Sequence, residues 1–165
     1  MKIGIYPGTF DPITLGHMDI IKKGINLVDK LYVAIAKDSR KSTLFTLEER
    51  LDIINLELKN NNIPVDKVEV EVFSGFVVDY AKSKSANVII RGLRALSDFE
   101  YEFQMACINS LLENQVQTIF LPAAKELQLV ASKFVREIAK LDGDTSYFVS
   151  DLVNKKLKEK YKNNV

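Results

Sequence analysis

The chain has 165 residues, 47% of them hydrophobic and 27% charged, with 23 Lys+Arg against 22 Asp+Glu and a net charge of +1. Those values fit one folded domain with a real core, and they exclude a protein held to nucleic acid or a membrane surface by its overall charge. One cysteine, Cys107, excludes an internal disulfide and a thiolate metal cluster, and no apolar run approaches the roughly 20 residues that span a bilayer.

Ile3-Gly4-Ile5-Tyr6 reads as a buried strand. A core strand beginning so early, with Asp11 soon after, leaves no signal peptide, so a cytoplasmic protein is expected. The turn Gly8-Thr9-Phe10-Asp11-Pro12-Ile13-Thr14-Leu15-Gly16-His17 follows, and the spacing of Met18, Ile21, Ile25 and Val28 predicts a helix over 18–28. Strand, Gly/Pro turn and helix start make a phosphate site, because unpaired N–H groups and the helix dipole face the turn. Here Gly8 is expected to allow close backbone approach, Asp11-Pro12 to fix the turn, and Gly16 to leave room over the helix start. A lone histidine at a helix start is ordinarily structural, but the ten residues around His17 favour a functional one.

Leu31 to Ala36 reads as a second strand, and the polar, basic residues 37–43 as a loop. Thr46-Leu47-Glu48-Glu49 has capping-box spacing and opens a helix that Asn60-Asn61-Asn62-Ile63-Pro64 ends. Val68 to Phe73 alternates like a strand with one wetter face, and 77–84 reads as a short helix. Asn87-Val88-Ile89-Ile90 is an apolar strand ending in Arg91-Gly92-Leu93-Arg94. Asp98 is the expected N-cap of a long helix to Leu112. Residues 117–121 form another strand, and 130–141 and 150–161 the closing helices, with 155–165 expected to fray.

Alternating strands and helices give a single α/β domain over 1–165, with a Rossmann-like, doubly wound, five-stranded parallel sheet and C-terminal helices. Ligands of such sheets lie beyond the carboxyl ends of the strands. The loops carrying candidate chemistry, 7–17, 37–45, 73–76, 91–98 and 122–132, all follow strand ends. Arg91 and Arg94 end a wholly apolar strand, where a guanidinium is costly without an anion. No Ser/His/Asp or Cys nucleophile arrangement is present, and the acidic residues show no metal-ligand spacing.

Gly8-Thr9-Phe10-Asp11 with Thr14-Leu15-Gly16-His17 resembles the signature of the nucleotidyltransferase superfamily carrying a T/H-x-G-H motif. Tyr6 to Thr14, Phe45-Thr46-Leu47-Glu48-Glu49-Arg50, Ile90-Arg91-Gly92-Leu93-Arg94-Ala95 with Asp98-Phe99-Glu100-Tyr101-Glu102, and Phe120-Leu121-Pro122 are together similar to the bacterial phosphopantetheine adenylyltransferase family, over about 1–152. The resemblance implies that ATP and 4′-phosphopantetheine react by direct in-line attack to give dephospho-coenzyme A and pyrophosphate, in the penultimate step of coenzyme A biosynthesis. It implies catalytic roles for His17, Lys41 and Arg91. It implies ATP contacts at Thr9, Phe10, His17, Gly92, Leu93, Arg94, Glu102 and the segment Gln128, Leu129, Val130, Ala131, Ser132, Lys133, Phe134. Phosphopantetheine contacts fall on Thr9, Lys41, Val77 and Arg91, with Phe73, Ser74 and Phe76 lining its arm. It implies Mg²⁺ carried by ATP, a homo-oligomer of hexameric type, and coenzyme A as a candidate feedback ligand, with no nucleic-acid or membrane partner.

One segment departs from the family pattern. Ala131 stands where a first serine is usual and Lys133 at the third position, leaving Ser132 alone. Backbone N–H groups at a helix start do not depend on those side chains, so phosphate binding can survive. The alternatives are a nicotinate or nicotinamide mononucleotide adenylyltransferase, a cytidylyltransferase, or a nucleotide-binding module without catalysis.

Overall fold

The structure is a computed structural model and describes residues 1–37, 42–94 and 96–162. Five parallel strands form one sheet in the order β3-β2-β1-β4-β5: β1 (Ile3–Gly8), β2 (Lys30–Ala36), β3 (Val68–Phe73), β4 (Val88–Leu93) and β5 (Gln117–Pro122). Among the described residues six helices connect or follow them: α1 (Leu15–Gly24), α2 (Leu47–Asn60), α3 (Val77–Ser83), α4 (Leu96–Leu112), α5 (Ser132–Lys140) and α6 (Asp151–Lys162). The doubly wound α/β expectation is met. One addition is a 3₁₀ turn, Lys125–Leu127, between β5 and α5.

Alternate residues of the inner strands feed two apolar layers. Leu31, Val33, Ile35 and Ile90 pack with Ile21, Ile54 and Leu157 on one face. Ile5, Ala34 and Ile89 pack with Val78 and Ala81 on the other. Burying both faces is why these strands read as continuous apolar runs. β3 is an edge strand: Glu69 and Val72 are exposed, and Glu71 is held by the Tyr80 hydroxyl at 2.9 Å.

The order reverses between β1 and β4, the crevice where doubly wound sheets bind ligands. β1 pairs with β4 only at Gly4↔Val88 and Ile5↔Ile89, although β1 runs on to Gly8 and β4 to Leu93. Beyond Ile5 the two strand ends therefore stand beside each other without a ladder.

Several boundaries differ from those expected. α1 ends at Gly24, not Val28; a Cβ at Gly24 would lie 3.1 Å from Ile90 Cδ1, and Val28 is buried from the following turn rather than from the helix. β4 continues through Arg91-Gly92-Leu93, which pair with Phe120, Leu121 and Pro122 of β5, so Arg91 belongs to a strand and not a loop. α4 begins at Leu96, which places Asp98 inside the helix instead of at its cap. α5 begins at Ser132, after an extended Ala131. The capping box at Thr46 is present: Glu49 N–H donates to Thr46 Oγ1 at 3.1 Å, and Thr46 N–H to Glu49 Oε2 at 2.7 Å. Among the described residues no helix is long and apolar enough to cross a membrane.

Candidate active site

At the β1/β4 crevice lies a cavity of about 600 Å³. Its floor is the opening turn. Thr14 and His17 form a capping box, an arrangement in which the N3 side chain reaches back to the N-cap amide. Thr14 N–H donates to His17 Nδ1 at 3.0 Å, and His17 N–H donates to Thr14 Oγ1 at 3.3 Å. An Nδ1 that accepts a backbone N–H carries no proton, so the neutral ring's proton sits on Nε2. Burial pushes the His17 pKa down to about 3, and the charges of Arg94 and Arg91 push the same way. His17 is therefore a neutral donor at ordinary pH. The buried Phe10 ring packs edge-on to it at 5.0 Å and to Tyr6 at 5.4 Å, fixing the plane of the imidazole.

The two glycines of the turn serve different ends. A Cβ on Gly8 would meet the Phe10 ring at 2.8 Å, so Gly8 makes room for that ring rather than for a ligand. A Cβ on Gly16 would meet Thr14 Oγ1, Leu127 O and Val130 Cβ no closer than 3.6 Å, ordinary contacts, so packing against the protein does not demand a glycine at this edge of the cavity.

On the β4 side, Arg91 is held by three bonds. Nε and Nη2 donate to Glu102 Oε2 and Oε1 at 2.7 and 2.6 Å, and Nη1 donates to Pro7 O at 2.8 Å across the unpaired strand ends. Burial works against the Arg91 charge, but the hydrogen bonds and charge of Glu102 hold its pKa above the usual value. Glu102, whose side chain is only 13% exposed, is thus no ordinary surface residue of α4. Arg94 Nη1 donates to Val130 O at 3.3 Å, which places it at the far wall.

That wall is the start of α5. Among the described residues no side chain caps this helix at Ala131. The Ser132 hydroxyl donates to Pro12 O at 2.8 Å and so docks the helix on the opening turn. The hydroxyl proton is engaged in that bond, and Ala131, Ser132 and Lys133 all line the cavity.

The cavity brings together most of the expected residues. Thr9, Phe10, His17, Arg91, Gly92, Arg94, Glu102, Val130, Ala131, Ser132 and Lys133 all line it. Leu93, Gln128, Leu129 and Phe134 do not, and Leu129 is 82% exposed. Val77 lies elsewhere too, packed with Ile3, Ile5 and Ala34 under the opposite face of the sheet. Lys41 lies outside the described residues.

Three charged residues, Asp11, Arg136 and Arg50, tie the opening turn to residues 44–45, α5 and α2. Asp11 is 2% exposed and accepts from Leu44 N–H and Phe45 N–H, each at 2.9 Å. Arg136 of α5 stands 3.4 Å from the same carboxylate and also donates to Asp11 O. Arg50 of α2, 4% exposed, donates to Thr9 O at 2.8 Å, with burial lowering its pKa and the charge of Asp11 opposing that. Arg50 had a signal in the sequence: it falls on the stripe of Leu47, Leu51 and Ile54 that faces the core.

A cytidylyltransferase-like family model matches residues 5–138. The chain is 51% identical over 156 residues to the phosphopantetheine adenylyltransferase of Wolbachia pipientis subsp. Culex pipiens, covering 94% of this chain and 91% of that one. It is 47% identical over 162 residues to that of Caldanaerobacter subterraneus subsp. tengcongensis, covering 98% and 99%. The chain belongs to the phosphopantetheine adenylyltransferase family. Among solved structures it is similar to a Plasmodium falciparum nicotinic acid mononucleotide adenylyltransferase complexed with NaAD, with a TM-score of 0.73 over 97% of this chain and 95% of that one. At 16% identity that likeness concerns the fold. The phosphopantetheine adenylyltransferase assignment therefore rests on the close relatives, and the departures at Ala131 and Lys133 lie within the stretch they match.

Proposed function

We infer that the protein, as one nucleotidyltransferase domain, transfers the adenylyl group of ATP to 4′-phosphopantetheine, forming dephospho-coenzyme A and releasing pyrophosphate. The observation that carries this beyond family membership is the convergence of the neutral His17 donor, Arg91 and Arg94 on one cavity at the strand-order reversal. A terminal phosphate oxygen of the acceptor attacks the α-phosphorus of ATP, the bond from that phosphorus to the β-bridging oxygen breaks, and the electron pair leaves with pyrophosphate. The nucleophile is already an anion, so no general base is required. His17 Nε2–H donates to an α-phosphate oxygen, where charge accumulates in the transition state. The uncapped start of α5, Lys133 and Arg94 receive the ATP phosphates. Arg91, with Lys41 by the family motif, receives the acceptor phosphate.

Mg²⁺ enters as a companion of ATP. Among the described residues no three His, Cys, Asp or Glu side chains gather to hold a metal, and the cavity carboxylates of Asp11 and Glu102 are taken by backbone N–H groups and by Arg91. No resident ion is assigned. A homo-oligomer, hexameric by resemblance, is supported by the apolar face that α4 leaves uncovered, where Tyr101 is 65% and Leu111 87% exposed. A cytoplasmic location and feedback by coenzyme A are kept as part of the same reading.

The test is pyrophosphate release from ATP with 4′-phosphopantetheine, set against ATP with nicotinate mononucleotide. Turnover with the first alone is expected; turnover with the mononucleotide alone overturns the reading.

A further inference from the structure

The lining of the cavity includes Ser42 and Thr43, which no strand or helix holds. What holds them is next door. The Asp11 carboxylate accepts Leu44 N–H on Oδ2 and Phe45 N–H on Oδ1, each at 2.9 Å, across more than thirty residues of chain. Two convergent N–H donors on one buried carboxylate are charge-assisted bonds, about twice as strong as neutral ones. α5 is docked differently: Ser132 Oγ bonds Pro12 O, and Arg136 bonds Asp11 O, both backbone acceptors. The Arg136 contact with the carboxylate itself is long, at 3.4 Å. α2 has its own tie, Arg50 to Thr9 O at 2.8 Å. Neutralising the carboxylate therefore loosens 42–45 while leaving α5 and α2 attached to the turn.

We propose that Asp11 is a positioning residue whose carboxylate pins residues 42–45 to the opening turn and so fixes the side of the cavity that receives the acceptor phosphate. The proposal rests on the functional reading above for the identity of that acceptor. It assigns Asp11 to acceptor binding although the residue belongs to the turn that carries His17.

The experiment compares wild type with Asp11→Asn. The amide has the same shape but can accept only one of the two N–H groups, and its own NH₂ opposes the other. Expected is a rise of about tenfold in KM for 4′-phosphopantetheine, with KM for ATP changed less than twofold and kcat by less than the acceptor KM. Hydrogen exchange read at Leu44 and Phe45 gives a second readout: slow in wild type, fast in the variant, with α5 amides unchanged. Equal changes in both KM values, or amides at 44 and 45 that stay protected in the variant, overturn the proposal. If Asp11→Asn does not fold, Leu44→Pro removes one of the two N–H donors with Asp11 in place and is expected to raise the acceptor KM more than the ATP KM; an unchanged acceptor KM overturns the proposal. A wild-type enzyme that does not use 4′-phosphopantetheine defeats the functional reading instead, and the exchange at Leu44 and Phe45 still decides the pinning.

Discussion

Thr14 N–H donates to His17 Nδ1 over 3.0 Å, while the Thr14 hydroxyl lies 3.1 Å from the same nitrogen and accepts His17 N–H. One local motif thus caps α1, selects the imidazole tautomer and aims its remaining N–H away from the helix.

Removal of that donor is expected to act on the transition state. His17→Ala should lower kcat by about 10²–10³, the range for losing one donor to developing charge, and leave the ATP dissociation constant within about threefold. Steady-state kinetics with calorimetric ATP binding checks it; an unchanged kcat contradicts the role.

The tautomer has a pH consequence. The His17 pKa falls from its ordinary value near 6.5 to about 3 in the folded protein. A depressed folded pKa means that the unfolded chain takes up the proton first as pH drops. The His17 contribution to stability is full above about pH 6.5 and is lost progressively as pH falls toward 3. Denaturant midpoints measured between pH 8 and 4 should fall less steeply in His17→Asn than in wild type. Catalysis should show no acid limb near 6.5 from this residue, and a limb there that vanishes in His17→Asn would contradict the neutral-donor assignment.

Arg91 is predicted to be irreplaceable by lysine. A single ammonium cannot reproduce the fork on Glu102 together with the bond to Pro7 O. Arg91→Lys should raise KM for 4′-phosphopantetheine by about tenfold or more, with KM for ATP changed less than threefold. Arg91→Ala should in addition lower stability by about 1–3 kcal/mol, because Glu102 is left without its partner. Equal KM losses for both substrates contradict the division of the cavity.

Gly16→Ala separates fold from function. The added methyl meets no protein atom closer than 3.6 Å, and alanine favours a helix by up to about 1 kcal/mol, so the melting temperature should hold or rise. Gly16 lines the cavity beside Val130, on the side proposed to receive ATP, so the methyl narrows that edge. KM for ATP should rise about tenfold while acceptor KM changes little; an unchanged ATP KM would mean that the space is not used.

How much of this was legible in the sequence follows from the range of the interactions. Local rules placed the five strands, the Thr46 capping box and the polar loops at strand ends, because each depends on residues within one turn or one strand. They failed at the end of α1, where Ile25 and Val28 keep a helical spacing but Val28 is buried from a turn. They also failed at Arg91, since pairing with Phe120 of β5 extends a strand that composition alone would stop at Ile90. The family resemblance brought most of the site together, but not its internal bonds. Arg91 with Glu102, Asp11 with Leu44 and Phe45, and Ser132 with Pro12 join residues 11 to 120 positions apart. Such pairs have no spacing rule to reveal them. The resemblance gave Glu102 to ATP and Ser132 to its phosphates; it did not reveal that Glu102 also holds Arg91 and that the Ser132 hydroxyl bonds Pro12 O.

The proposed transfer is a direct displacement at the α-phosphorus with no enzyme-bound intermediate. The configuration of dephospho-coenzyme A made from one diastereomer of adenosine 5′-O-(1-thiotriphosphate), with 4′-phosphopantetheine as acceptor, reads this out. A single in-line step predicts inversion at phosphorus. Retention, the mark of two successive displacements through an adenylylated residue, would contradict it.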